Sequence, residues 1–288
     1  MLMRSLLFVP GDSERKLAKS RDSRADVLLI DLEDSVAAAA KDRARDIARD
    51  FLRAVAPRPA LVVRINALDT GLSDADLDAV MPGAPAGIML PKCCGGRDVQ
   101  HLSASLAVRE AECGLPPGST KILAIATETA ASLFAMGGFA GASRRLAGLT
   151  WGAEDLSAAL GAETSRLPGG TLAGPYALAR TLTLLAAAAA GAAAIDTVFT
   201  ALGDEPGLRA ECEQARRDGF AGKLAIHPAQ VAVINAAFTP SPEAVAQARR
   251  VIAAFAAQPE AGVIALDGAM LDKPHLARAL KVLARAGD

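Results

Sequence analysis

The chain has 288 residues, of which 51% are hydrophobic and 22% are charged, and its formal net charge is −1. This composition is that of an ordinary globular protein and excludes intrinsic disorder. The small net charge gives no electrostatic basis for binding nucleic acid or an anionic membrane surface, so any anionic ligand needs a local site. The length fits one α/β barrel of about 250 residues with a short C-terminal addition.

Short apolar runs alternate with longer helix-forming stretches along the chain. This order predicts successive βα units and a parallel sheet. Because the runs are apolar without clean alternation, both faces of the sheet must be covered. The eight predicted strands begin at Arg4, Asp26, Leu61, Ala86, Lys121, Leu146, Ala194 and Lys223.

The residues at the ends of these strands favour a closed (β/α)8 TIM barrel. Barrel active sites are assembled from the C-terminal ends of several strands, so polar groups gathered there are typical of a barrel. Periodicity alone does not exclude an open doubly wound sheet. The polar residues in question are Asp31, Glu33, Asp34, Arg64, Asn66, Lys92, Glu128, Glu154, Asp155 and His227.

The chain beyond His227 is longer than a barrel needs. Two further helices are predicted over about residues 242–258 and 274–286, joined by GVIALDGAMLD. We therefore expect a catalytic barrel over residues 1–240 and a helical extension over residues 241–288. This extension is a candidate lid that packs on a neighbouring subunit.

Cysteine usage and the absence of a targeting segment indicate a cytoplasmic protein. The cysteines form no CxxC pair, so reduced structural thiols are expected. The apolar run of residues 6–10 is too short for a signal peptide, and the alanine-rich residues 182–195 are too few to span a membrane and predict a buried helix. The four cysteines are Cys93, Cys94, Cys113 and Cys212.

Glu128 and Asp155 follow neighbouring predicted strands and form a candidate metal pair. Two carboxylates on adjacent barrel strands can bind one cation and leave octahedral positions open, which is the arrangement that Mg²⁺ prefers. In the alternative interpretation, one of the two acids is a helix cap or a first-turn acid that the helix dipole favours.

Arg64 lies within an apolar strand, where an unpaired guanidinium is costly. A salt bridge to Asp31 or Glu33 and a clamp on a substrate oxygen remain equally open. Lys92 could form a Schiff base or an ion pair, and His227 could act as a base or be structural.

Arg15 and Lys16 follow the first strand, near the end of the barrel where an active site is expected. A solvated helix face is one interpretation of these residues. Contact with a phosphate-bearing cofactor tail is the other.

Several strings along the chain resemble one family when they are taken together and in order. The strings are RSLLFVPG, ADVLLIDLEDSV, VVRIN, LPK, ATET, WGAEDLSAALGAE, AIHPAQV and GAMLDKPH. Between about residue 4 and residue 280, the chain is similar to the citrate lyase β-subunit-like family. Of these strings, DLEDSV, GAEDL and GAMLDKP are specific in combination.

The resemblance implies a barrel of the phosphoenolpyruvate/pyruvate type that assembles as a homotrimer or a hexamer. It implies Mg²⁺ on Glu128 and Asp155 and substrate binding by Arg64. It further implies that Asp272, from the lid of a neighbouring subunit, is the catalytic proton carrier. The substrate-binding residues that it implies beside Arg64 are Glu128, Gly152, Ala153 and Glu154.

The implied reaction is the reversible cleavage of a β-hydroxyacyl-CoA to a 2-oxo acid and acetyl-CoA. Citryl, malyl and citramalyl thioesters fit equally well, and the coenzyme A tail would pass Arg15 and Lys16. A thioesterase on the same fold is an alternative. So is a citrate lyase β subunit that acts on a thioester of acyl carrier protein, and so is a non-catalytic assembly subunit.

Overall fold

The structure is a computed structural model that describes residues 1–54 and 59–286. Its strands are β1 (Ser5–Pro10), β2 (Val27–Asp31), β3 (Ala60–Arg64), β4 (Gly87–Leu90), β5 (Lys121–Ile125), β6 (Leu146–Thr150), β7 (Ala193–Asp196) and β8 (Gly222–Ala225). All eight run parallel and pair in chain order, and β8 returns to β1 to close the barrel. The predicted (β/α)8 TIM barrel is therefore confirmed.

Helices follow each strand and cover the outside of the barrel. The helix between β5 and β6 has only 4 residues, whereas the connection from β6 to β7 contains two helices. The helices of the barrel are α1 (Glu14–Ser20), α2 (Lys41–Ala54), α3 (Ser73–Val80), α4 (Gly96–Glu112), α5 (Ala130–Leu133), α6 (Ala153–Leu160), α7 (Gly174–Ala190), α8 (Glu205–Asp218) and α9 (Pro228–Phe238).

The strands are buried on both faces, which explains why their sequences are continuously apolar. Leu6, Leu29 and Val62 belong to the cluster that fills the barrel, whereas Leu7 and Leu28 pack outward with the helices. Burying one such side chain stabilises the fold by about 1.5–3 kcal/mol. The carboxyl ends of the strands, where the candidate site lies, are thus held by a packed core.

A buried ion pair joins α4 to the amino end of β6. The Arg145 guanidinium donates two hydrogen bonds to the Glu110 carboxylate, at 2.6 and 2.7 Å. The same carboxylate accepts the backbone N–H groups of Gly118 and Thr120 just before β5. Burial would raise the pKa of Glu110, but these hydrogen bonds outweigh it and lower the pKa to about 2.

The C-terminal extension contains a β-hairpin that was not predicted. Helix α10 (Pro242–Ala256) is followed by β9 (Val263–Leu266), β10 (Ala269–Asp272) and α11 (Lys273–Ala286), and the two strands pair antiparallel. These elements share a small apolar cluster that includes Val251, Phe255, Ile264 and Ala279. The boundary at residue 240 stays a prediction, and residues 287 and 288 of the predicted extension lie outside the described residues.

Helix α11 contacts the amino end of its own barrel. The Arg285 guanidinium donates to the Gly219 carbonyl oxygen, 3.2 Å away, just before β8. Ala284 lines a cavity of about 930 Å³ together with Met1, Ala60 and Lys121, which lie at the starts of strands. The end of the extension is therefore attached to the amino end of the barrel. The carboxyl ends of the strands lie at the other end.

The alanine-rich segment forms the C-terminal part of α7 and β7, and the prediction of a buried helix is wrong. Leu185 is 60% exposed whereas Ala186 and Ala187 are buried, because only one face of α7 packs on the barrel. No helix within residues 1–54 and 59–286 is long and apolar enough to cross a membrane.

Candidate active site

Glu128 lies three residues beyond β5 and is only 4% exposed. The backbone N–H of Lys92 donates to its carboxylate. Burial raises the pKa of Glu128 to about 8, and the charges of Asp155 and Glu33 add to this effect. A buried carboxylate surrounded by like charges is one that a cation would stabilise.

Asp155 was expected to end a strand, but it lies in the first turn of α6. Strand β6 ends at Thr150, and the chain enters the helix before it reaches Asp155. The pairing of β5 with β6 nevertheless brings this turn next to the segment of Glu128. The Asp155 side chain is 35% exposed, so one carboxylate of the pair is buried and the other faces solvent.

Because Gly152 has no side chain, the Glu128 side chain can occupy the space beside it. A Cβ atom on Gly152 would lie 2.8 Å from the Cγ atom of Glu128, closer than real Cβ contacts. Gly152 precedes α6, whose first residues are the buried Ala153 and the exposed Glu154. The three residues predicted to bind substrate therefore lie beside Glu128, at the start of the helix that carries Asp155.

Arg64 ends β3 and is held by carboxylates of the neighbouring β2 segment. It donates two hydrogen bonds of 2.7 Å to Asp31, and its Nη1 lies 2.9 Å from Glu33. Its guanidinium carbon also lies 4.8 Å from the centre of the Phe8 ring. Burial opposes its charge, but the acids outweigh burial and raise the pKa of Arg64. The salt bridges expected from the sequence are thus both present.

Lys92 has a more central place than the sequence indicated. Its Nζ hydrogen-bonds Glu33 and lies 3.6 Å from Asp34 and 3.7 Å from Asp155. Burial would lower the pKa of Lys92, but these acids outweigh burial and raise it. A protonated amine is not a nucleophile, so the structure favours the ion pair over the Schiff base.

The carboxylates outnumber the cations at this end of the barrel, and the set fits a bound divalent cation. Among the described residues, no three His, Cys, Asp or Glu side chains form a complete metal cage. Glu128 and Asp155 alone would leave coordination positions for water and substrate oxygens, as Mg²⁺ requires. The space beside Gly152 keeps the Glu128 carboxylate free for such a role.

Arg15 and Lys16 are exposed on α1 and line a cavity of about 460 Å³ near the carboxyl ends of β1 and β8. Lys19 and His227 line the same cavity. The Nδ1 atom of His227 accepts the N–H of Ala229 and caps α9, which favours a structural role for this histidine. The cavity therefore offers lysine and arginine cations to an anionic ligand.

Asp272 ends the hairpin of the extension and hydrogen-bonds His275, which lowers the pKa of Asp272. Within the described residues it makes no hydrogen bond or ion pair to Glu128, Asp155 or Arg64. The structure thus brings the barrel residues of the predicted site together and leaves Asp272 of the same chain apart from them.

Comparison with known proteins identifies the family. The model of the HpcH/HpaI aldolase/citrate lyase family matches residues 4–228. The chain belongs to this family. A (3S)-malyl-CoA thioesterase of Cereibacter sphaeroides is 38% identical over 286 residues, 98% of this chain and 94% of that protein. A citrate lyase subunit beta of Escherichia coli is 38% identical over 98% of this chain and 93% of that protein.

Solved structures of the HpcH/HpaI aldolase/citrate lyase family have the same fold. Protein CitE of Mycobacterium tuberculosis, in complex with magnesium, acetoacetate and coenzyme A, superposes with a TM-score of 0.77. It is 37% identical, and the match covers 99% of this chain and 98% of that one. RipC of Yersinia pestis superposes with a TM-score of 0.67 at 34% identity, over 84% of this chain and 97% of that one.

Proposed function

We propose that this protein is a magnesium-dependent carbon–carbon lyase that cleaves a β-hydroxyacyl-CoA of the citryl, malyl or citramalyl type. The products would be a 2-oxo acid and acetyl-CoA. The observation that carries this proposal is the pair of Glu128 and Asp155 beside Arg64 at the carboxyl end of the barrel. The magnesium, acetoacetate and coenzyme A in the CitE complex support it.

Glu128 and Asp155 would hold the metal. Bound Mg²⁺ would act as a Lewis acid on the hydroxyl and carboxylate oxygens of the half that becomes the 2-oxo acid. Arg64 would donate to the same oxygens with the N–H groups that Asp31 and Glu33 leave free, in a plane that these two carboxylates fix. A fixed donor of this kind contributes about 3 kcal/mol to a transition state that accumulates negative charge on oxygen.

The bond between the two carbons would break with its electron pair left on the acetyl carbon. The hydroxyl group would give its proton to solvent water and become the ketone or aldehyde oxygen of the 2-oxo acid. Asp272 would then deliver a proton to the acetyl carbon, or remove one in the direction of condensation. The His275 hydrogen bond favours the carboxylate form of Asp272, which is the form needed for removal.

Asp272 would act in the site of a neighbouring subunit. Its own extension is attached to the amino end of its barrel, whereas the site lies at the carboxyl end. A homotrimer or a hexamer would allow each lid to cover the next barrel. Arg15 and Lys16 would contact the phosphates of coenzyme A from the cavity beside β1.

Product analysis tests the proposal. The protein would be incubated with citryl-, malyl- and citramalyl-CoA and Mg²⁺, and the products separated by mass. A 2-oxo acid together with acetyl-CoA supports the lyase, and activity must vanish with EDTA and return with Mg²⁺. If no 2-oxo acid forms from any of these thioesters, the lyase assignment fails.

A thioesterase is the second candidate, since one relative of 38% identity is named (3S)-malyl-CoA thioesterase. Water would then attack the thioester, and free coenzyme A and an intact hydroxy acid would appear. A third candidate is the β subunit of a citrate lyase, because another relative of the same identity has that name. Its substrate would be carried by acyl carrier protein, and co-purification with that protein would identify it.

The four cysteines agree with a cytoplasmic location, since all of them are free thiols in the structure.

A further inference from the structure

Lys92 places a positive charge among the carboxylates that would receive the metal. Its Nζ hydrogen-bonds Glu33 and lies 3.6 Å from Asp34 and 3.7 Å from Asp155. Its backbone N–H donates to Glu128. One residue therefore contacts both members of the proposed metal pair, through two different chemical groups.

The backbone at Lys92 shows that this position is built into the fold. Its φ angle is +48°, in the left-handed region that side chains other than glycine rarely adopt. Such a conformation costs about 1–3 kcal/mol and persists only where the surroundings impose it. Here the hydrogen bond to Glu128 holds the backbone, and the bond to Glu33 directs the side chain.

A metal ion and the Lys92 ammonium would compete for the same carboxylate. A divalent cation on Asp155 would lie within a few ångströms of Nζ, and like charges at that distance repel strongly in a partly buried site. We propose that Lys92 is an internal counter-ion, which offsets part of the negative charge of the site without metal and lowers the affinity of the site for divalent cations. This inference rests on the proposed metal-binding role of Glu128 and Asp155.

The two contacts of Lys92 can be separated by mutation. Any substitution other than proline keeps the backbone N–H that holds Glu128, whereas a neutral side chain removes the ammonium. Lys92→Met keeps an unbranched side chain of similar length. Lys92→Asn removes the same charge with a residue that tolerates the left-handed backbone. Lys92→Arg keeps the charge and is the matched control, and Lys281→Met removes an exposed lysine of α11.

The experiment is a titration of the full-length protein with Mn²⁺ and with Mg²⁺ in the absence of substrate, followed by calorimetry and by the Mn²⁺ paramagnetic signal. We expect Lys92→Met and Lys92→Asn to bind both ions at least about ten-fold more tightly than the wild type, because a nearby like charge is gone. Lys92→Arg and Lys281→Met should stay within about three-fold of the wild type.

The outcome for the wild type separates this inference from the proposed function. If the wild type binds divalent cations and both folded neutral variants bind them equally or more weakly, Lys92 is not a competing counter-ion and the lyase proposal stands. If neither the wild type nor the folded neutral variants bind either ion, the metal site itself is refuted, and the role of Lys92 with it. Thermal unfolding of each variant shows which of them are folded.

Discussion

Arg64 would join the proposed substrate site to the packed interior, so we expect its replacement to affect both binding and chemistry. Its guanidinium uses two nitrogens for Asp31 and a third for Glu33. A lysine in its place could not reproduce this planar, bidentate contact. We expect Arg64→Lys to raise KM, to lower kcat and to reduce kcat/KM by about 100-fold. Steady-state kinetics with the preferred thioester measures all three.

Loss of stability is the competing explanation for an Arg64 effect. Asp31→Asn is the control, because it disturbs the same salt bridge and leaves the guanidinium in place. If the two variants unfold at similar temperatures but only Arg64→Lys loses kcat, the role in substrate binding holds. An unchanged kcat/KM in a folded Arg64→Lys variant contradicts it.

Gly152 would affect the proposed metal site only through the space that it leaves for Glu128. In Gly152→Ala the new methyl group would collide with Glu128, and relieving such crowding costs about 1–3 kcal/mol. We expect weaker Mg²⁺ binding and a lower unfolding temperature. Gly174→Ala is the matched control, because a Cβ there meets no atom within 4 Å and should change neither quantity.

The sequence indicated the residues of the site better than it indicated their contacts. Glu128 and Asp155 could be placed side by side, because strand order brings the ends of adjacent strands together. The place of Lys92 could not be predicted, since it depends on a positive φ angle and on partners from three separate segments. The periodicity of apolar residues along the chain contains no information on this φ angle or on these partners.

Helix α4 contributes an ion pair whose strength depends on pH. The pKa of Glu110 is lowered from its usual 4.5 to about 2. The carboxylate therefore stabilises the folded state fully above pH 4.5, and this contribution is lost as the pH falls from about 4.5 to 2. We expect Glu110→Gln to lose about 3 kcal/mol of unfolding free energy at neutral pH, since Arg145 keeps a buried charge without a partner.

Denaturant unfolding at a series of pH values tests this prediction. The difference between the wild type and Glu110→Gln should shrink as the pH falls below 4.5. Glu112→Gln, at an exposed position of the same helix, should unfold like the wild type at every pH. A constant difference between pH 7 and pH 3 would show that the Glu110 charge is not the cause.

Strands and helices of the barrel were predictable because each strand is a continuous apolar run between helical segments. The hairpin of the extension was missed although its signal is present. Asp267 and Gly268 form a D–G pair between apolar residues, which is a strong hairpin signal, and both have positive φ angles. The apolar run from Val263 to Leu266 is only four residues long, too short to outweigh the helical patterns on either side.

At the scale of the whole molecule, a shared site predicts complementation between inactive subunits. Asp272→Asn would lack the proposed proton carrier and Glu128→Gln a proposed metal ligand, so each variant alone should be nearly inactive. Subunits mixed at equal amounts after dissociation would form about one complete site in four, if they assemble at random into rings. Activity near a quarter of the wild type would therefore appear on mixing.

Two controls define that complementation experiment. Mixing Asp272→Asn with Arg64→Lys should also restore activity, because these residues would come from different chains. Mixing Glu128→Gln with Arg64→Lys should not, since both belong to the same barrel. No recovery in the first mixture would place Asp272 in its own chain's site or outside catalysis. Recovery in the second mixture would show that Glu128 and Arg64 do not act in the same barrel.

The contact of α11 with the amino end of the barrel bears on how the protein can be handled. Met1 and Ala284 line one cavity there, whereas the candidate active site opens at the other end. A surface linker attached near either residue would hold each barrel with its catalytic opening toward the solution. The fold is therefore suited to oriented immobilisation on a solid support, with substrate reaching every bound molecule from the same side.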